Sequence, residues 1–150
     1  MNNRRDTLKQ GAVLAGLLTA AGYPQYALAF NKNAFEAKTV QEAIKAAGGG
    51  AMSESKDVTL TSPDIAENGA VVPLGVSTSL SGVKELLILV EKNPNALVAL
   101  FKVSDSIDAN FMTRAKMGQS SDVFAVAIMN DGRALFSKKE VKVTLGGCGG

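Results

Sequence analysis

The chain has 150 residues, 46% of them apolar and 20% charged, a composition that suits one globular domain with a buried core and excludes a disordered or fibrous protein. It has no His and one Cys, so His-based triads, His-ligated zinc or haem, thiolate clusters and internal disulfides are excluded, and an all-carboxylate site for a hard cation is the one protein-ligated metal centre left open. The formal charge of +2 overstates the basic character of the mature protein, because an expected N-terminal leader carries part of it.

Residues 1–29 read as that leader. Asn3-Arg4-Arg5-Asp6-Thr7-Leu8-Lys9 opens it, an apolar run from Gly11 to Gly22 follows, and Ala27-Leu28-Ala29 is an A-x-A peptidase site. The paired Arg4 and Arg5 resemble a twin-arginine export signal, with Asn3 and Thr7 departing from the usual residues. The apolar run is far shorter than the ~20 residues a spanning helix needs, so export to the periplasm with cleavage near Ala29 is expected rather than stable membrane insertion. Cleavage leaves 121 residues with 13 basic and 13 acidic side chains. A neutral chain with two Tyr and no Trp lacks the basic face and stacking platform of a nucleic-acid binder.

Residues 30–145 read as one domain. From Ala34 to Gly50 the apolar positions Ala37, Val40, Ala43, Ile44 and Ala47 fall on one helical stripe. Thr39-Val40-Gln41-Glu42 fits a capping box, and Gly48 to Gly50 supplies the stop, so the spacing predicts one short helix. After Met52 the pattern changes to short β-branched or aliphatic runs: Val58–Thr61, Val71–Val76, Glu85–Val90, Leu97–Val103, Ala109–Met117, Val123–Met129, Ala134–Ser137 and Val141–Leu145. Glu67-Asn68-Gly69, Asn93-Pro94-Asn95 and Asn130-Asp131-Gly132-Arg133 read as turns, the last as a hairpin. The unbroken Leu86 to Val90 predicts a central strand, whereas Val141, Val143 and Leu145 alternate with Lys142 and Thr144 as in a strand with one wet face. The expected class is all-β: an immunoglobulin-like β-sandwich with a short N-terminal helix.

Residues 146–150, Gly146-Gly147-Cys148-Gly149-Gly150, carry the chemistry. Four of the five are Gly, against an average usage of ~7%, so a flexible arm is expected that displays its thiol without bulk or charge. At ~3.5 Å per residue Cys148 can stand roughly 10 Å beyond Leu145 and enter a narrow channel in another protein. An exposed free thiol in an exported protein invites oxidation unless it is used, and a flexible arm does not hold the geometry that catalysis needs. Cys148 therefore reads as a carrier rather than a catalyst.

Lys138, Lys139 and Lys142 ahead of the arm read as a solvated strand face, Arg114 to Met117 as an ordinary strand, and Met112, Met117 and Met129 as core or interface filling.

The leader, the β-rich body, the stretches "SPDIAENGAVVPLGV" (62–76), "VEKNPNALVALF" (90–101) and "TRAKMGQSSDV" (113–123), and the final "VKVTLGGCGG" together resemble the SoxY family, the sulfur-carrying subunits of the bacterial Sox thiosulfate-oxidation system. The resemblance covers nearly the whole mature chain. It implies an immunoglobulin-like sandwich paired as a heterodimer with a SoxZ-like subunit, with Cys148 as the carrier cysteine and no other site transferred. It also implies a haem enzyme, SoxAX, that joins thiosulfate to the thiol, SoxB that hydrolyses off sulfate, and a haem–molybdenum enzyme, SoxCD, that oxidises the remaining sulfur when present. No cofactor is expected in this chain itself. A thiol of ordinary pKa, about 8.5, is only a few per cent ionised at neutral pH, so activation is expected from the partner's site.

Two other readings of the same cysteine remain open at this stage. An exported binding module would use it for an intermolecular disulfide, and a thiol peroxidase would need a polarising environment and usually a resolving thiol.

Overall fold

The structure, a computed structural model, describes residues 31–144. In chain order the elements are α1 (Lys32–Glu36), α2 (Val40–Ala46), β1 (Met52–Glu54), β2 (Val58–Thr61), β3 (Ile65–Ala66), β4 (Val72–Thr78), β5 (Val83–Val90), β6 (Leu97–Lys102), β7 (Asn110–Ala115), β8 (Ser121–Met129) and β9 (Ala134–Val143). The expected leader, residues 1–29, lies outside the described residues.

The apolar stripe of the helical segment is buried as its spacing predicts, but the segment holds two helices, not one: Val40, Ala43 and Ile44 lie on α2, Ala37 in the break after α1, and Ala47 just past α2. Thr39 adopts extended backbone angles, φ −120° and ψ 156°, because an N-cap stands outside the helix whose N–H it receives. Its Oγ1 accepts from the Glu42 N–H at 3.2 Å. Glu42 Oε2 in turn accepts from the N–H of Lys38 at 3.2 Å, one residue before the position a capping box uses. A cap inside a helical pattern divides it, and α1 ends at Glu36. At the other end Gly48 takes φ +90°, and the Gly49 N–H closes on Ile44 O at 2.9 Å, the left-handed stop expected there.

The strands form two sheets. The larger has the order β1-β9-β8-β5-β6, with β3 also pairing to β9; the smaller is β2-β4-β7. Strands β1 and β3 run parallel to opposite ends of β9, Met52 facing Ala134 and Ile65 facing Lys142, and the other pairings are antiparallel. Three strands facing a six-stranded sheet, with the chain crossing from one to the other at β4 to β5, β6 to β7 and β7 to β8, make the two-sheet sandwich expected of an immunoglobulin-like fold. Its two sheets enclose one core, in which Leu86, Ile88 and Val90 of β5 meet Val72, Leu74 and Val76 of β4. A second core lies on the outer face of the larger sheet, where Ile44 and Val40 cluster with Leu87, Leu89, Val126 and Ile128. This second layer is why β5 and β8 are apolar at consecutive positions: alternate side chains enter different cores, and neither face is wet.

Residues 134–143 form one ten-residue strand where two short ones are expected from the sequence. Ser137 to Glu140 have no apolar signal, yet their backbone pairs with Asp122 to Ala125 throughout, so ladder hydrogen bonds carry the strand across its hydrophilic centre. Val141 is buried and Lys142 exposed, the alternation expected there. The hairpin at Asn130 to Arg133 forms as expected: Gly132 has φ +90°, and the Met129 N–H donates to Arg133 O at 2.9 Å. Asp131 accepts from the backbone N–H and Nε of Arg133 at 3.0 and 2.7 Å, and these contacts hold its carboxyl below the usual carboxylate range.

Candidate functional site

Cys148 and its neighbours Gly146, Gly147, Gly149 and Gly150 lie outside the described residues. The structure instead defines the platform from which that segment departs, because Thr144 is the last described residue. The end of β9 is fastened there by two segments, residues 64–67 and Ser120. The Lys142 N–H donates to Asp64 O at 3.0 Å and the Thr144 N–H to Ala66 O at 3.1 Å. The Thr144 hydroxyl donates to Glu67 O at 3.2 Å, and the Val143 N–H to Ser120 Oγ at 2.9 Å.

The same end of the sandwich gathers the three stretches singled out in the sequence. The Met117 N–H donates to Gly69 O at 2.7 Å, joining residues 113–123 to 62–76. Asn93 Nδ2 donates to Lys116 O at 2.8 Å, and the Lys92 N–H to Ser121 Oγ at 3.0 Å, joining 90–101 to 113–123. Ser121, 1% exposed, donates its own hydroxyl hydrogen bond to Asp122 O at 2.9 Å. Ser120 and Ser121 thus stand in for missing ladder partners where the strands end. In the sequence they are part of the longer stretch 113–123, and the signal that marks them is two adjacent hydroxyls directly after Gly118-Gln119.

The lysines of β9 do not make one cationic cluster. Lys138 Nζ lies 3.1 Å from Asp122 Oδ2 and 5.7 Å from the centroid of the Phe124 ring; the hydrogen bond to Asp122 and its charge raise the lysine above its usual value. Lys139 pairs with Asp64 and, one residue along the strand, belongs to the opposite face. Lys142 is exposed. All three are exposed, as a solvated reading expects, but they lie on both faces of β9 rather than on one. Of the three methionines, Met117 and Met129 are buried in the sandwich core, while Met112 is 57% exposed. Among the described residues no three His, Cys, Asp or Glu side chains come together to hold a metal ion.

The hydrogen bond from Lys139, reinforced by its charge, holds the Asp64 carboxyl below the usual carboxylate range. A carboxylate with a depressed folded-state pKa stabilises the fold above its unfolded pKa, about 3.9, and loses that contribution as pH falls through the folded value. Carboxyl-detected NMR titration is expected to find the Asp64 midpoint below 3.9 and to find it raised toward that ordinary value in Lys139→Ala. An unchanged midpoint would show the ion pair to be absent in solution. Because the pair is solvent-exposed, the variant's unfolding at neutral pH should barely change.

The profile of the sulfur oxidation protein SoxY matches residues 44–148 of the chain. The chain belongs to the SoxY family. Among solved structures it is similar to the sulfur carrier protein SoxY from Chlorobium limicola f thiosulfatophilum, at 31% identity and TM-score 0.64, over 71% of this chain and 97% of that one. It is also similar to a superoxide reductase (neelaredoxin) from Ignicoccus hospitalis, at 13% identity and TM-score 0.52, over 58% of this chain and 80% of that one. The second likeness is one of fold alone. Comparison with curated protein sequences gives no match. The SoxY match begins at Ile44, inside α2, spans every strand, and ends at Cys148.

Proposed function

We propose that this chain is a periplasmic, non-catalytic sulfur carrier that holds thiosulfate-derived intermediates covalently on Cys148 and presents them to partner enzymes. The observation that carries the reading is that the family match runs through to Cys148, the single cysteine of the sequence. The platform geometry supports it, since Thr144 is tied to the body and Cys148 follows four residues later, up to roughly 14 Å away at full extension.

Thiosulfate joins the thiol as Cys-S-S-SO₃⁻ with release of one proton and two electrons. The new S–S bond is an oxidation, and its electron pair passes to a haem enzyme of the SoxAX kind. Hydrolysis by a SoxB-like enzyme takes up water and releases sulfate and a proton, leaving Cys-S-SH. A SoxCD-like haem–molybdenum enzyme, where present, oxidises that outer sulfur. The carrier supplies retention: a covalent bond keeps the intermediate from diffusing away between active sites. A SoxZ-like subunit completes the carrier as a heterodimer, and the twin-arginine leader, residues 1–29, delivers it to the periplasm.

Intact-protein mass spectrometry of the carrier after turnover with thiosulfate and the partner enzymes tests this reading. Thiol-reducible mass increments on the peptide that contains Cys148 are expected. Increments elsewhere, or an unmodified chain during sustained turnover, would reject it.

A further inference from the structure

Strand β9 is held in two different ways along its length. Its antiparallel ladder with β8 ends where Ser121 faces Val141. Val141 is fully buried, Val143 partly, and Lys142 and Thr144 are exposed. Past Val141 the backbone bonds elsewhere: Lys142 and Thr144 N–H donate to Asp64 O and Ala66 O, the Thr144 hydroxyl to Glu67 O, and Val143 N–H to Ser120 Oγ. Residues 64–67 thus lie along the end of β9 as a strap, with Ile65 facing Lys142 and Ala66 facing Val143.

The strap has anchors of its own. The chain leaves the smaller sheet after Thr61, which faces Gly75, and rejoins it at Val72. Between those points Ala66 is buried in the core of the sandwich, and Gly69 O accepts from the Met117 N–H at 2.7 Å. Asn68 closes a turn, its Oδ1 accepting from the Ala70 N–H at 3.0 Å and its carbonyl from the Val71 N–H at 3.3 Å. None of these contacts involves residues 142–144, so the strap keeps its place when they leave it.

The two ends of β9 are secured unequally. At its start β1 pairs with Ala134 to Phe136, and Met52, Ala134 and Phe136 join the core beneath the helices, so apolar burial backs the ladder. At its end the parallel β3 is two residues long, and parallel pairing is the weaker kind per residue. Facing apolar side chains are what stabilise paired strands, yet Ile65 is 57% exposed and stands opposite a lysine. The hold is therefore mainly one of hydrogen bonds. Such bonds contribute little net where water can replace them, as it can at the exposed Asp64 and Glu67. Against them stands the conformational entropy that three freed residues regain.

We infer that residues 142–144 are a releasable root of the segment that carries Cys148. Seated on the strap, they fix the origin of that segment at Thr144; peeled away, they move it back to Val141, whose buried side chain stops the opening there. Cys148 lies four residues after Thr144 and seven after Val141, so its greatest reach changes from roughly 14 Å to roughly 25 Å. The opening is local and leaves both cores intact. Its use rests on the carrier reading proposed above: one carrier then serves active sites that lie at different depths in its partner enzymes, with the seated root for shallow sites and the released root for deep ones.

Amide hydrogen exchange of the mature chain, followed by NMR, tests the root without any partner. The amides of Lys142 and Thr144 are expected to be at least ~100-fold less protected than the slowest amides of the β5–β8 ladder, as local opening requires. Lys142→Ile, which gives Ile65 an apolar neighbour, is expected to raise their protection about threefold, while Lys142→Gln, which removes only the charge, leaves it unchanged. Protection equal to that of the β5–β8 ladder, or the same in both variants, would overturn the root. Its use is read from thiosulfate turnover with partner enzymes in a chain shortened by Gly146 and Gly147, which needs the released root to restore its reach. There Lys142→Ile is expected to turn over about threefold more slowly than Lys142→Gln, in step with the protection. Equal turnover by the two, or none by either, would overturn the setting of reach. A full-length parent without Cys148 mass increments would instead remove the carrier reading and with it the use of the root, while the exchange still decides whether the root opens.

Discussion

Replacing Cys148 by Ser is expected to abolish thiosulfate-dependent turnover and every thiol-reducible mass increment, while the thermal midpoint moves by less than about 1 °C. The first effect is large because the carrier step is bond formation at sulfur. A serine oxygen offers no disulfide-type linkage to thiosulfate, and the chain has no second cysteine to take over. The second effect is small because, among the described residues, the end of β9 is already fastened without Cys148: Ala66, Glu67 and Ser120 hold residues 143 and 144 directly. The pairing of outcomes matters. Loss of turnover together with a lowered midpoint would mean that Cys148 packs against the body, and retained turnover would remove the cysteine from the pathway. The measurement is coupled turnover with partner enzymes, followed by intact mass and differential scanning calorimetry on the same preparation.

Much of the sandwich is legible in the sequence because local pattern and tertiary burial agree. The run Leu86 to Val90 marks a strand with both faces covered, and Asn130 to Arg133 marks the hairpin between β8 and β9 through turn chemistry alone. The errors fall where one of these signals is absent. Strands β1 and β3 are three and two residues long, too short for any periodicity, and exist because β9 offers them a ladder. Ser137 to Glu140 look like a break but are paired on β8. The helical stripe is continuous in the sequence, yet Thr39 divides it, since one residue does not serve as both cap and helix interior.

The site divides in the same way. A cysteine between glycines is visible as composition, so Cys148 can be singled out without a structure. That residues 62–76, 90–101 and 113–123 meet at the end of β9 is a matter of topology, and no spacing rule brings segments so far apart in sequence to one pole. The acid-free outer face of β2-β4-β7 is likewise hidden in the sequence, where Arg114 and Lys116 read as an ordinary alternating strand. Only the register shows that the outward neighbours of Arg114 and Met112 are Pro73 and Gly75, with no acid between them.

Two cores on either side of one sheet make a quantitative expectation for stability. Leu86 and Leu87 are adjacent and both fully buried, but Leu86 belongs to the core between the sheets and Leu87 to the core beneath the helices. Each Leu→Ala change is expected to cost about 3 kcal/mol, the transfer free energy of the lost atoms plus that of the cavity they leave. This is a large part of the roughly 5–15 kcal/mol that holds a domain folded. The partners of the two leucines differ, and double-mutant cycles separate them. Ile44→Val on α2, which costs about 1 kcal/mol alone, should couple with Leu87→Ala by more than ~0.5 kcal/mol and add to Leu86→Ala within ~0.5 kcal/mol. Urea unfolding of the three single and two double variants with the parent supplies all the terms. Equal coupling in both cycles would mean that the helical layer and the sandwich respond as one core. Additivity with Leu86 alone would establish the larger sheet as a wall between two separately packed interiors, one joined to the helices and the other to the strands that lead to Thr144.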